Sequence, residues 1–438
     1  MKVLAIEPST SPVVKTNSTT KKSLEVAGKN MTRATKATYS ANEEKAKARK
    51  DPRILQTLLL GVPSPASSLW SCITAAINLL LVIFVGDLVF RAPLLYPSHD
   101  LSFARVGYVS DTSANILLRE PDCAQLPIYI SYRSALKPED PPQDGSWKSV
   151  SPVYWLSNDT DYTYVITISK LLPSSRYEYE LSNNHTGVFS TAPPAGQTAS
   201  DNDKFTFITS SCIKPHFPYN PLSHPLSIPG FQHLAKWIPS LHAAFMLFLG
   251  DFIYIDVPRR FGTDIETYRR EYRQVYASPD WPSISSSLPW LHVLDDHEIA
   301  NDWDANTTAP YPAAVDPWHL YHTSVNPPPV RPNASYFQFT QGPASFFLLD
   351  TRRYRTPEHS ANASSPIKSM LGRDQLSSLL TFLSRPEPSG VKWKLIISSI
   401  PFTRNWRFGS TDTVSIFSDL FLPNLDPIIS VETCFQST

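Results

Sequence analysis

The chain has 438 residues, which leaves room for two or three domains. Its 39 basic and 39 acidic residues cancel, so net charge gives no argument for a nucleic-acid partner, and none is expected. Cys72, Cys123, Cys212 and Cys434 form neither a CxxC zinc pair nor a dense disulfide framework. The 41 prolines are spread along the chain and punctuate loops and strands.

Residues 1–68 are polar and basic, with Lys21, Lys22, Lys45, Lys47, Arg49 and Lys50 among Ser, Thr and Ala. So few large apolar residues predict a disordered tail. Residues 69–90 read LWSCITAAINLLLVIFVGDLVF, a run that matches the ~20 residues a bilayer-crossing helix needs. Asn78 and Asp87 interrupt it, but Asp87 lies near the end, within reach of the interface. The basic flank upstream predicts a single-pass membrane anchor with a cytosolic N-terminus. Everything after Phe90 is then lumenal or extracellular, in the secretory pathway. Sequons at Asn158, Asn184, Asn306, Asn333 and Asn362 all fall on that side, as in a glycoprotein.

Residues 100–193 alternate apolar and polar positions over short runs, which predicts an all-β sandwich. The runs are 105–109, 115–119, 127–132, 162–168 and 176–181. Leu172-Pro173 followed by Tyr177 and Tyr179 resembles the corner of a fibronectin/Ig-like sandwich, where a tyrosine hydroxyl ties back to the backbone. No catalytic residues cluster here, so support or substrate gating is the expected role.

From residue 204 to 438 buried-type strands alternate with helices, which predicts an α/β layered domain. Strands are expected at 205–209, 241–249, 291–294, 345–350 and 393–398. Thr263 and Glu266 form a capping box ahead of a helix with Ile265, Tyr268, Tyr272, Val275 and Tyr276 on one face. Another helix opens at Leu371–Leu376.

The first three of these strands each finish in potential metal ligands. Cys212 follows the first, Asp251 the second, and Asp295 with Asp296 the third. Ligands gather beyond the carboxyl ends of strands in open α/β sheets, so these residues can converge. Carboxylates suit hard cations, whereas thiolate and phenolate favour a redox or borderline metal. A Cys-Asp-Tyr set fits ferric iron, with calcium or another divalent ion on the carboxylate side.

These motifs resemble the PhoD-type alkaline phosphatase/phosphodiesterase family of metallophosphoesterases. The matching residues are Ser211-Cys212, Leu249-Gly-Asp-Phe-Ile-Tyr254, Asp295-Asp-His-Glu298 with Asn301-Asp302, and Leu349-Asp-Thr-Arg-Arg-Tyr-Arg355. Leu371-Gly372 with Gln375, Ser399–Thr403 and Asn405-Trp406 extend the match. The resemblance implies a metallophosphoesterase-type β-sandwich flanked by helices that hydrolyses phosphoric esters. It puts Cys212, Asp251 and Tyr254 in the places of iron ligands, with Asp251 bridging to a divalent ion such as calcium. Asp295 or Asp296, with Asn301, would serve that second ion. His297 would stabilise the transferring phosphoryl group or aid the leaving oxygen, and Arg353 or Arg352 would grip phosphate oxygens in a fork.

The family pattern continues past Asn405-Trp406 to a Gly-Asp-x-His motif, which does not occur after Trp406 here. The C-terminal part is therefore expected to be missing or replaced from about residue 414. That leaves a second expectation, a catalytically inactive relative with a binding or regulatory role, or the product of a faulty gene model.

Overall fold

The computed structural model describes residues 58–64, 67–135, 146–199, 204–258, 261–357 and 368–400. The basic tail up to residue 57 lies outside them. So do Pro401–Thr403, Asn405-Trp406 and the segment from Asp412 on which the C-terminal departure was read. The chain divides into two compact units, Met1–Ile83 and Phe84–Thr438.

Helix α1 spans Ser68–Leu95, five residues past the expected end. It is long and apolar enough to cross a membrane by length and composition, which gives weak support to a membrane anchor or a signal sequence. In the first unit the Asn78 amide donates to the Gly61 carbonyl at 3.1 Å, so the one polar amide of the run has a backbone partner.

In the second unit, seven strands form two antiparallel sheets. They are β1 (Phe103–Val109), β2 (Ser113–Arg119), β3 (Ile128–Ser134), β4 (Lys148–Val153), β5 (Thr163–Ser169), β6 (Arg176–Leu181) and β7 (Thr186–Ser190). The sheet orders are β1-β2-β5 and β4-β3-β6-β7. Val106, Ile116 and Ile166 from one sheet share a core with Ile130, Tyr179 and Phe189 from the other. The Leu172 N–H donates to the Tyr177 hydroxyl at 2.9 Å, the backbone tie that the Leu-Pro…Tyr spacing predicts. Strands β4 and β7 escape a sequence reading because KSVSPV and TGVFS bury only one full side chain each.

Beyond them come β8 (Ile208–Ser210), α2 (Pro229–Leu241), β9 (Met246–Phe248), α3 (Ile265–Tyr276), α4 (Pro282–Ser285), β10 (Trp290–His292) and α5 (Tyr311–Tyr321). The last elements are β11 (Phe337–Gln341), β12 (Ala344–Leu348), α6 (Gly372–Ser384) and β13 (Trp393–Ile397). Strands β10-β9-β8 form a parallel sheet, and β11-β12-β13 a mixed one. Inner faces meet through Phe245, Leu247, Leu291, Phe339, Phe346 and Leu348. The outer face of the first sheet packs Met246, Phe248 and Trp290 against helical Phe231, Tyr272 and Trp318. The outer face of the second packs Phe347 against Leu379 and Phe382 of α6. Two facing sheets with helices outside are consistent with a metallophosphoesterase-like α/β core.

Two local details differ from the sequence reading. The N-cap of α3 is Asp264, whose carboxylate accepts the Thr267 N–H at 3.0 Å, while Glu266 pairs forward with Arg273. Thr263 is thus not the cap, and Ile265 stays exposed. Helix α5 holds Pro312 at its start and Pro317 inside, a composition that reads as a loop.

Buried ions weld the antiparallel sheets to the α/β layers. Asp161 Oδ1 accepts Arg119 Nη2 at 3.0 Å and Arg273 Nη1 at 2.8 Å, and Oδ2 accepts the Tyr321 hydroxyl. Arg105 on β1 donates to the carbonyls of Trp290 and Tyr321. Burial raises the Asp161 carboxyl, but the two guanidinium groups and Tyr321 outweigh it and hold it below the ordinary range. Removing one partner of such a cluster leaves uncompensated buried charge. Asp161→Asn is expected to cost about 3–5 kcal/mol in urea unfolding.

The His292 and His322 rings stack at 3.6 Å and 10° inside the aromatic core. Burial and the charge of Arg105, and for His292 also that of His322, hold both well below the usual histidine range. A depressed folded pKa means full stability above the unfolded value of ~6.5 and progressive loss below it. The unfolding free energy from urea titration is expected to fall between pH 7 and pH 5, by up to ~1.4 kcal/mol per pH unit for each ring. His322→Phe should flatten that slope.

Candidate metal centre

The first sheet sets the site. Ser210 and His292 both pair with Phe248, so the three parallel strands end level. Cys212, Asp251 and Asp295-Asp296 follow within four residues of those ends, on one sheet edge. The loops are tied by Cys212 N–H donating to the Gly250 carbonyl at 3.2 Å and Ile213 N–H to the Asp251 carbonyl at 3.1 Å. Gly250 takes a φ of 89°, and a Cβ there would lie 2.3 Å from Asp295 Cβ, so only glycine fits. Cys212 and Asp251 themselves hold φ near 60° and 57°, a costly conformation for residues with side chains.

Asp251 is the hub. Its Oδ2 accepts the Tyr254 hydroxyl at 2.9 Å and the Cys212 thiol at 3.3 Å. Its Oδ1 is buried without a hydrogen-bond partner among the described residues. Ligand atoms of Asp251, Asp296 and His297 all lie within 4.8 Å of one another. Burial and the Asp296 charge raise the Asp251 carboxyl. The Cys212 thiol is pushed up to about 11 by burial and by Asp251, against a lowering contact from Ser211. Burial and the charges of Asp251 and Cys212 raise the Tyr254 phenol as well. Acidic groups that penalise one another's ionisation, around an orphaned carboxylate oxygen, fit a cation.

The two aspartates of the second motif diverge. Asp295 Oδ1 accepts Arg352 Nε, and burial pushes its carboxyl up to about 7 despite that guanidinium. Asp296 shares the same guanidinium through Nη2 at 3.1 Å and accepts the Asp302 N–H on its other oxygen. Both aspartates bond Arg352, and it is Asp296 whose ligand atom lies in the cluster with Asp251 and His297. Arg353, one of the two arginines expected to grip phosphate, donates to the Asn333 carbonyl at 3.0 Å and lies over the Tyr354 ring. The Asp350 carboxylate accepts both the Arg352 and Arg353 backbone N–H groups, a turn that sends the two side chains to different partners. The Asn301 side-chain amide donates to Asp302 at 2.7 Å.

His297 Nδ1 sits 2.8 Å from Asp256, and its ring lies 4.2 Å from that of Tyr254. Burial lowers His297, but the Asp256 hydrogen bond and the charges of Asp296 and Asp251 outweigh it and keep its pKa above the ordinary histidine value. Asp256 also accepts the Asn301 N–H at 2.5 Å. Glu298 is fully buried and accepts the Phe252 N–H at 2.6 Å and the Asp295 N–H at 2.9 Å, one on each oxygen. Sequence reading overlooked Asp256 as a partner of His297, although it stands two residues after Tyr254. Glu298 stands in the second acidic motif, but nothing in the sequence marks it as a backbone clamp.

With this geometry in hand, residues 207–421 match the family described as PhoD-like phosphatase. A solved structure titled "Structure of PhoD" superposes with a TM-score of 0.52 at 20% identity, over 72% of this chain and 64% of that one. The chain thus spans less than two thirds of that structure's length, and the likeness is one of fold. A purple acid phosphatase, PPD1, from yellow lupin (Lupinus luteus) seeds aligns at 12% identity and a TM-score of 0.44, over 68% of this chain and 51% of that one. A search of curated proteins finds no match. The fold is consistent with a metallophosphoesterase-like core, and the match over residues 207–421 supports membership among the PhoD-like phosphatases.

Glu298→Gln tests the clamp, because an amide offers one acceptor oxygen where two N–H groups need two. A loss of about 1–3 kcal/mol is expected in urea unfolding, the cost of a buried donor left unmade.

Proposed function

We propose that the chain is a metal-dependent phosphoric-ester hydrolase, a phosphodiesterase or phosphomonoesterase. One observation carries this reading: Asp251, Asp296 and His297 converge at the strand ends around the unpartnered Asp251 oxygen. Cys212, Asp251 and Tyr254 would hold one cation, of iron type given a thiol and a phenol. Asp251 and Asp296 would share a second, calcium or another divalent ion, with Asn301 completing it after a side-chain rotation. Bound cations supply acidified water and neutralise phosphoryl oxygens.

The protein's own groups do the remaining work. Asp256 fixes the His297 ring through Nδ1, which leaves Nε2 to hold a proton beside the leaving oxygen. Arg352 forks onto Asp295 and Asp296 and holds those carboxylates in place, and Arg353 or Arg352 is read as the grip on phosphate oxygens. The seven-stranded part is read as a fibronectin-type support domain, since it is ion-locked to the catalytic layers. Helix α1 is read as the anchor of a glycosylated lumenal or extracellular protein.

A second reading is a catalytically inactive relative with a binding or regulatory role. One experiment separates them. The full chain is purified, its metals are measured by mass spectrometry, and turnover of bis(p-nitrophenyl) phosphate is followed. The hydrolase reading expects bound metal, turnover abolished by chelation, and loss of both in Asp251→Asn. Asp256→Asn should lower metal affinity or activity about 10–100-fold. Metal-free, folded protein without turnover would establish the inactive reading.

A further inference from the structure

The polar end of α1 has a partner that the hydrolase reading does not use. Asp87 and Arg91 lie one turn apart and pair at 3.5 Å. Arg91 donates to the carbonyls of Pro221 at 2.9 Å and Ser223 at 3.1 Å. Asp87 accepts the Tyr219 hydroxyl at 3.1 Å. Ring contacts run beside these bonds, Phe84 to Tyr219 and Tyr96 to His224. Both charges of the helix are therefore satisfied by the loop between Lys214 and Pro225. Charge within a spanning helix is costly and seeks such partners.

The depth of that loop follows from helix geometry. Leu69 to Gly86 carries no charge. At 1.5 Å per residue this stretch rises about 27 Å, close to the ~30 Å of bilayer hydrocarbon. Asp87 then falls at the far boundary of the hydrocarbon, and the loop bonded to it falls at the same level. That loop exposes large apolar side chains: Leu222 is 93% and Phe217 67% accessible, and Val257 and Phe261 are exposed beside the same helix end. A tyrosine and apolar tips at this depth suit the headgroup boundary. Leu88 and Val89 of α1 line one cleft with Lys214 and Tyr254, so the candidate metal centre abuts this helix end.

We infer that the Lys214–Pro225 loop is a lipid-binding edge: Phe217 and Leu222 insert into the bilayer boundary, and the metal centre is held at the membrane surface to act on phosphoesters presented there. This rests on the reading of α1 as an anchor. The test places p-benzoylphenylalanine at Leu222, at Phe217, at Val82 within α1, and at Tyr154 on the β-sheet part. The full chain is reconstituted in phosphatidylcholine nanodiscs and irradiated, and lipid adducts are counted by mass spectrometry. Adducts at 82, 217 and 222, several-fold above Tyr154, are expected. Adducts at 82 without any at 217 and 222 would overturn the lipid edge while keeping the anchor. None at 82 would remove the anchor, and the edge with it.

Discussion

One buried carboxylate holds the candidate site together. Glu298 has no access to solvent, yet each of its oxygens accepts a backbone N–H from a different loop. One loop carries Asp251 and the other Asp295 and Asp296. Burial and the neighbouring Asp251 raise its pKa well above the ordinary range, so the fold spends stability to keep it there. The return is positional. Two strained segments, with Cys212 and Asp251 at positive φ, are fixed against each other by side-chain and backbone bonds.

The frame around that clamp is equally committed. Arg105, Arg119 and Arg273 are buried where the antiparallel sheets meet the α/β layers. A rigid brace suits a support role and leaves little freedom for gating. The His292 ring at the end of β10 stacks on His322, so the strand that leads to the second acidic motif is anchored in the aromatic core.

Much of this was legible in the sequence. Period-two alternation marks β5 and β6, and continuous apolar runs mark β9, β10 and β12, because burial on one or both faces writes itself into residue type. The ligand candidates Cys212, Asp251 and Asp296 were legible because strand ends point to one edge. The short polar strands and the proline-bearing α5 were not, since tertiary packing overrides their local propensity. Nor were the separate partners of the Arg352 and Arg353 side chains, which follow a turn on Asp350 and have no trace in composition.

The glycine at position 250 has a consequence for ion choice. A β-carbon there would meet that of Asp295 at 2.3 Å, so the backbone of one loop lies directly against the other. An ion of another radius would have to be met by side-chain rotation alone, since the backbone has no room to breathe. Small differences in ionic radius would then be felt as differences in affinity, as they are wherever a coordination shell is stiff and its members few.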